Sequence, residues 1–310
     1  MKINRIASAV LVAAIVGTGF VSSAMGRTEN AAGEAQLVVT ANANKSRPSQ
    51  PLPQSDIAAK VKGRPADILS WQPLNGPDAG LQLVFLIDDS ARSYLALQIP
   101  SIAKFIESLP PSAEVAVAYM GNGRAVMAQT LTADHALAAK SLRVTNGIPY
   151  ISGSPYFCLS DLAKNWPSKA KTRRVVMMVT NGEDPYYRSA DLQDPYVAAA
   201  IQDSQKAGLL VYSIYFADRG RANRGGLRIL SGQSYLVRVA DETGGQTYMI
   251  GLTSPVSFDP FLEQFRDSLN HQYLLTVAAD KSGWQQVKVE SKVRGVKLAA
   301  AKAIYVEKNP

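Results

Sequence analysis

Three short polar clusters carry residue types that could do chemistry, and each borders an apolar run. Asp88-Asp89-Ser90-Ala91-Arg92-Ser93 follows Leu83–Ile87, and Thr180-Asn181-Gly182-Glu183-Asp184 follows Val175–Val179. Ser152-Gly153-Ser154 stands just ahead of a helical stretch. Carboxylate, hydroxyl and amide oxygens are the ligands of a hard cation such as Mg²⁺. The same carboxylates, Asp88, Asp89 and Glu183, could instead serve a metal-assisted hydrolase. Little else is on offer, because the chain has one Cys and two His. Disulfide frameworks and zinc-finger modules need more such residues. An imidazole-based site would depend on His135, beside Asp134 at a helix start, or on His271, just ahead of the last strands. His135 reads as a surface residue and His271 as one that hydrogen-bonds at a boundary. Cys158 reads as a buried small hydrophobe. Gly121-Asn122-Gly123 lacks the third glycine of a dinucleotide fingerprint and reads as a turn; no P-loop and no Gly-x-Ser-x-Gly elbow is present.

The elements around these clusters alternate. Leu83–Ile87 is apolar on both faces, as in a strand buried between helices. Leu95, Ile99, Ile102, Ile106 and Leu109 mark one helical stripe, with Pro100 requiring a kink or a late start. Val115–Met120 is a second strand, turning at Gly121–Gly123 into a hairpin partner over Ala125–Gln129. Thr132 is placed to cap a helix through Leu142. Further helices are expected over Tyr156–Trp166, Pro195–Lys206 (ending at Gly208), Tyr235–Asp241 and Phe258–Leu269. Further strands are expected over Arg174–Val179, Leu209–Phe216 and Gln246–Ile250. This order implies an α/β fold with a doubly wound, mostly parallel sheet. Ligands bind such sheets at the carboxyl ends of the strands, so the three clusters converge on one edge.

With these residues in this order, residues 81–270 resemble a von Willebrand factor type A (VWA) domain. The likeness is greatest to a secreted bacterial (acidobacterial) branch, in which the domain is followed by a strand containing Gln-Tyr, here His271-Gln272-Tyr273-Leu274-Leu275. The resemblance implies a metal-ion-dependent adhesion site, built from Asp-x-Ser-x-Ser, a Thr on a second loop and an Asp after a later strand. Asp88 and Ser90 match the first two positions. Arg92 stands where the second Ser belongs, Ser154 can fill the Thr position, and Asn181 stands where the family has Asp. The implied metal ligands are thus Asp88, Ser90 and Ser154. Arg92 brings a like charge to the cation's place and Asn181 removes a negative one, so no metal or only weak Mg²⁺ binding is expected, with Arg92 pairing Asp88 or Asp89. Asp184 opens an aromatic loop suited to partner contact. The implied function is a non-enzymatic, adhesion-type module that binds a protein partner through Asp88, Ser90, Arg92, Ser154, Asn181 and Asp184. A structural envelope protein remains the other non-enzymatic alternative.

The chain ends complete the plan. Residues 1–26 read as a cleaved signal peptide: Lys2 and Arg5, an apolar stretch from Ile6 to Val21, then small residues. An uncleaved anchor is the rival reading. Cleavage lowers the formal charge of +8 by two units, and it places the protein in the periplasm or outside the cell. Residues 27–56 read as a disordered linker rich in Ala, Asn, Ser and Pro. Residues 57–80 form a short lead-in with a small hairpin reaching Trp71. Residues 271–310 are expected to add a small antiparallel sheet, with strands over Gln272–Ala279, Trp284–Val293 and Ala303–Val306. The basic excess concentrates at Arg219, Arg221, Arg224 and Arg228. No stacking aromatics accompany that loop, so nucleic acid is not an expected partner.

Overall fold

The computed structural model describes residues 33–43, 51–76, 79–148, 151–170, 172–187, 193–217, 226–279 and 282–306. The proposed signal peptide lies outside these residues, as do Arg219, Arg221 and Arg224. Every residue of Leu81–Asp88 (β5) is buried, so both faces of this strand need a cover. Helices provide it. Leu83, Phe85 and Ile87 pack with Ile99–Glu107 (α1), His135–Lys140 (α2) and Asp259–Asn270 (α6). Val84 and Leu86 pack with Pro155–Lys164 (α3), Pro195–Ala207 (α4) and Gly226–Thr243 (α5).

β5 is flanked by Ala113–Gly121 (β6) and Arg173–Thr180 (β8), both parallel to it. Leu209–Tyr215 (β9) and Thr247–Tyr248 (β10) extend the parallel set on one side. Arg124–Thr132 (β7) closes the other edge, antiparallel to β6. Pro100 sits in the first turn of α1, behind a 3-10 turn over Ser93–Gln98, so the helical stripe starts late. The cap of α2 is Asp134, whose Oδ1 accepts from Leu137 N at 2.9 Å, and not Thr132. Thr132 Oγ1 accepts from Asp134 N instead, and the helix ends at Lys140.

Two expectations about the ends are corrected. Residues 34–43, expected within a disordered linker, form a strand (β1, Glu34–Ala43) in the interior of a sheet. The alternation of Ala35, Leu37 and Val39, all buried, with polar or half-buried residues between them, explains why. The C-terminal strands do not make a sheet of their own. Gln272–Ala278 (β11), Gly283–Ser291 (β12), Val296–Ala300 (β13) and Ala303–Val306 (β14) are shared with Ile57–Val61 (β2), Arg64–Ala66 (β3) and Ile68–Pro73 (β4). One sheet runs β13-β1-β11-β4 and the other β14-β12-β2-β3. Val287 and Val289 give β12 one apolar face, and that face needs a partner. It finds one in a core shared by both sheets, with Leu37, Val39, Ile57, Leu275 and Val306. The start and end of the chain thus build a β-sandwich, and the α/β body is inserted between them.

Candidate functional site

The loop after β5 is held by the Asp88 carboxylate. Its Oδ1 accepts from Ser90 N at 2.9 Å, Ser90 Oγ at 2.6 Å and Ser152 Oγ at 2.6 Å. Its Oδ2 accepts from Thr180 Oγ1 at 2.8 Å. One buried carboxylate thus accepts from four donors, three on Oδ1 and one on Oδ2. They come from three segments: the loop after β5, the loop ahead of α3 and the end of β8.

Asp89 points to a different set of partners. Arg143 reaches it with both terminal nitrogens, at 2.8 and 3.0 Å, and Asn146 N donates to it at 3.0 Å. Arg143 also lies over the Tyr119 ring, 3.9 Å from its centre. Burial raises the Asp89 carboxyl, but these bonds outweigh it and the pKa falls below its ordinary value. The segment 143–147 is fastened further by Thr145 Oγ1 to Ala91 O at 2.7 Å and Gly147 N to Asp89 O at 3.0 Å. Sequence reasoning missed Arg143, Asn146 and Thr145, which have no pattern of their own; their role is set by where the chain returns.

The expected residues divide as follows. Asp88 and Ser90 are brought together. Ser152, not Ser154, reaches Asp88. Ser154 caps α3 by accepting from Tyr156 N, and its hydroxyl donates to Asp184 Oδ2 at 2.8 Å. Burial raises the Asp184 carboxyl above its ordinary value, against hydrogen bonds from Tyr186 N and the Ser154 hydroxyl. Asn181 turns its Oδ1 inward, accepting from Glu183 N at 3.0 Å. Arg92 is exposed at the start of the 3-10 turn, and Arg143 is the cation on Asp89. Among the described residues, no three His, Cys, Asp or Glu side chains gather in a group that could hold a metal.

Beside Asp184 the rim is aromatic. Phe157 touches Tyr186 and Tyr196, with ring centres 5.3 and 4.7 Å away. Tyr186 is 58% exposed. Across the same edge, Leu97 and Val256 are 75% and 97% exposed. Gln98 fixes that second patch, donating to Val256 O and accepting from Phe258 N, each at 2.9 Å.

The two histidines bond backbone carbonyls, and the thiol lies beneath the site, donating to Ser152 O at 3.4 Å. His135 bonds Ala113 O and His271 bonds Asp267 O. Cys158 is buried on α3 and burial pushes its thiol far up.

No family model and no curated protein matches the sequence. Solved structures do. The vWF domain of the type V pili tip protein Mfa5 from Porphyromonas gingivalis is 11% identical, with a TM-score of 0.40, over 60% of this chain and 95% of that one. This chain is similar in fold to a vWF domain. An aerotolerance-related membrane protein from Bacteroides fragilis is 15% identical at TM-score 0.42, over 62% of this chain and 99% of that one. BatB from Bacteroides thetaiotaomicron is 12% identical at TM-score 0.42, over 61% and 97%. At these identities and TM-scores the matches carry no function, which has to be read from the residues above. Among the described residues, no helix is long and apolar enough to cross a membrane.

Proposed function

We propose that this chain is a secreted or periplasmic protein–protein interaction module: a doubly wound, VWA-like body whose metal-ion-dependent adhesion site is degenerate. The observation that carries the reading is the rim itself. Exposed Tyr186, backed by Phe157 on α3 and Tyr196 on α4, stands on a loop that the Asp184 carboxylate ties to Ser154 and to Tyr186 N, beside the loops that Asp88 and Asp89 hold. Rigid, exposed aromatics on preorganised loops are what binding hot spots are made of. The partner in this reading is a protein, and nucleic acid is not one.

The donor set suits weak Mg²⁺ binding or none. Mg²⁺ demands near-octahedral oxygens and reluctantly sheds water. Here one carboxylate, Asp88, is engaged by three hydroxyl donors and one amide donor, three of them on Oδ1. The position of the second family carboxylate is a neutral Asn181 engaged with Glu183 N. Dipoles of Ser90, Ser152 and Thr180 do the work that a cation's charge would do. Calorimetry with Mg²⁺ and Mn²⁺ is expected to show no micromolar binding; micromolar binding lost in Asp88→Ala would restore a cation-centred site.

The partner reading is tested by photo-cross-linking in the native envelope, followed by mass spectrometry. A photoreactive residue at Tyr186 is expected to capture a discrete partner, while one at Lys288 on the β-sandwich does not. Capture that is equal at both positions, or unchanged when the loops are loosened by Asp88→Ala, defeats the reading.

A further inference from the structure

The junction between the α/β body and the β-sandwich holds a second site, far from the rim in the topology. Arg173 opens β8 and Leu209 opens β9, so both stand at the amino ends of the parallel strands. The sandwich faces them with Leu274 on β11 and Ile304 on β14, and Leu74 follows β4. Between these residues lies a partly open cavity of about 70 Å³. At about 10–15 Å³ per water-sized occupant, this is room for roughly five heavy atoms. The wall exposes more apolar than polar surface; Gln36, Thr172, Gln205 and Thr243 add neutral polar groups, and Arg173 is its charged member.

Arg173 is an unusual residue to find there. One terminal nitrogen donates to Leu269 O at 2.9 Å and Gln272 Oε1 at 2.8 Å, with Leu74 O further away at 3.4 Å. These acceptors are all neutral. Its Nε is sealed from solvent and has no hydrogen-bond partner. Among the described residues, no carboxylate forms an ion pair with it. Burial lowers its pKa to about 10, with the neighbouring Tyr212 opposing. A partly buried guanidinium without a counter-ion is costly, and an unmade bond at its sealed Nε adds to the cost. A bound anion reaching the terminal nitrogens would offset the first of these costs, through a charge-assisted hydrogen bond.

We propose that this cavity binds a short-chain monocarboxylate, with its carboxylate on Arg173 and its apolar chain against Leu74, Leu209, Leu274 and Ile304. The mostly apolar wall selects an amphiphilic anion over a fully hydrated one such as phosphate. The size selects a chain of about three or four carbons. Because the site lies where the two units meet, occupancy stabilises their contact.

The test uses the full mature chain and butyrate as the probe. Titration is followed by NMR shifts of residues around β8, β9 and β11 and by the unfolding temperature. Butyrate is expected to give saturable shifts and a higher unfolding temperature, while 1-butanol, butylammonium and inorganic phosphate give neither. Arg173→Met is expected to weaken butyrate binding by about tenfold or more. Should that variant fail to fold, Leu274→Trp, which fills the cavity and keeps the charge, must abolish binding in a folded protein. No saturable shift with butyrate overturns the proposal. So does equal binding of 1-butanol or phosphate, or unchanged butyrate binding in both variants.

Discussion

Replacing Asp88 by Ala should loosen the whole carboxyl edge, and the size of the effect can be worked from its bonds. The substitution strands three hydroxyl donors, on Ser90, Ser152 and Thr180, and one of the two acceptors of Ser90 N. Hydrogen bonds to a charged group are worth about 1.5–3 kcal/mol each. Against this stands the relief of no longer burying a carboxylate that is 5% exposed, itself several kcal/mol. Hydroxyls can also rotate towards new acceptors. The balance is a destabilisation of about 3 kcal/mol, or roughly a hundredfold in the unfolding equilibrium. Asp88→Asn keeps the three bonds at Oδ1. Only Thr180 must reverse, accepting where it donated, so the cost falls to about 1 kcal/mol. Urea unfolding at neutral pH, followed by far-UV circular dichroism with and without EDTA, measures all three proteins. The reasoning fails if Asp88→Ala lies within about 0.5 kcal/mol of the wild type, a change no larger than an ordinary surface substitution. It fails equally if EDTA alone destabilises the wild type as much, because an ion would then be holding the loops.

Three further outcomes are expected. The Asp89 pKa is depressed in the folded state, so its contribution is present above the unfolded value of 3.8 and lost as pH falls through the folded one; Arg143 is 45% exposed, so Arg143→Met should cost only about 1 kcal/mol and flatten the acid limb of a stability–pH profile below about pH 4. Gly182 has φ +70°, and a Cβ there would lie 2.4 Å from Gly232 O on α5; Gly182→Ala should therefore lower stability by at least about 2 kcal/mol, read as a fall in the unfolding temperature. Cys158 should stay unreactive towards a thiol reagent in the folded protein and react at full stoichiometry in urea, since burial both raises its pKa and blocks access.

The α/β body was legible because its signals are local. Continuous apolar runs gave β5, β6, β8 and β9, and the 3.6-residue stripe gave α1. The site was half legible. Asp88 and Ser90 announce themselves by spacing, and Thr180 and Ser152 lay inside clusters already under suspicion. Arg143 and Asn146 could not be found this way, because they meet Asp89 from 54 and 57 residues away and nothing local marks them. Choosing Ser154 over Ser152 had a similar origin: both hydroxyls sit in one Ser-Gly-Ser, and only the turn at Gly153, φ +69°, decides which faces Asp88. The sandwich was misread for the same reason on a larger scale. β1 lies in an Ala- and Asn-rich stretch whose composition suits a linker, and its partners β11 and β13 are more than two hundred residues away.

That long-range pairing has a consequence for how the chain comes to be folded. Glu34 sits opposite Ala278, and Ile57 opposite Ser291. All the strands of the α/β body find their neighbours within residues 81–248, so the body can close while the last strands are still to be delivered. For a chain emerging amino end first, β1 and β2 must wait with open backbone edges and an uncovered apolar face until residues 272–306 arrive. The loop entropy of that final closure grows only with the logarithm of its length, so the cost is mainly one of time. The sandwich is therefore a clasp fastened last, and truncation after α6 would leave β1, β2 and β4 with open edges on an otherwise finished body, a species prone to aggregate.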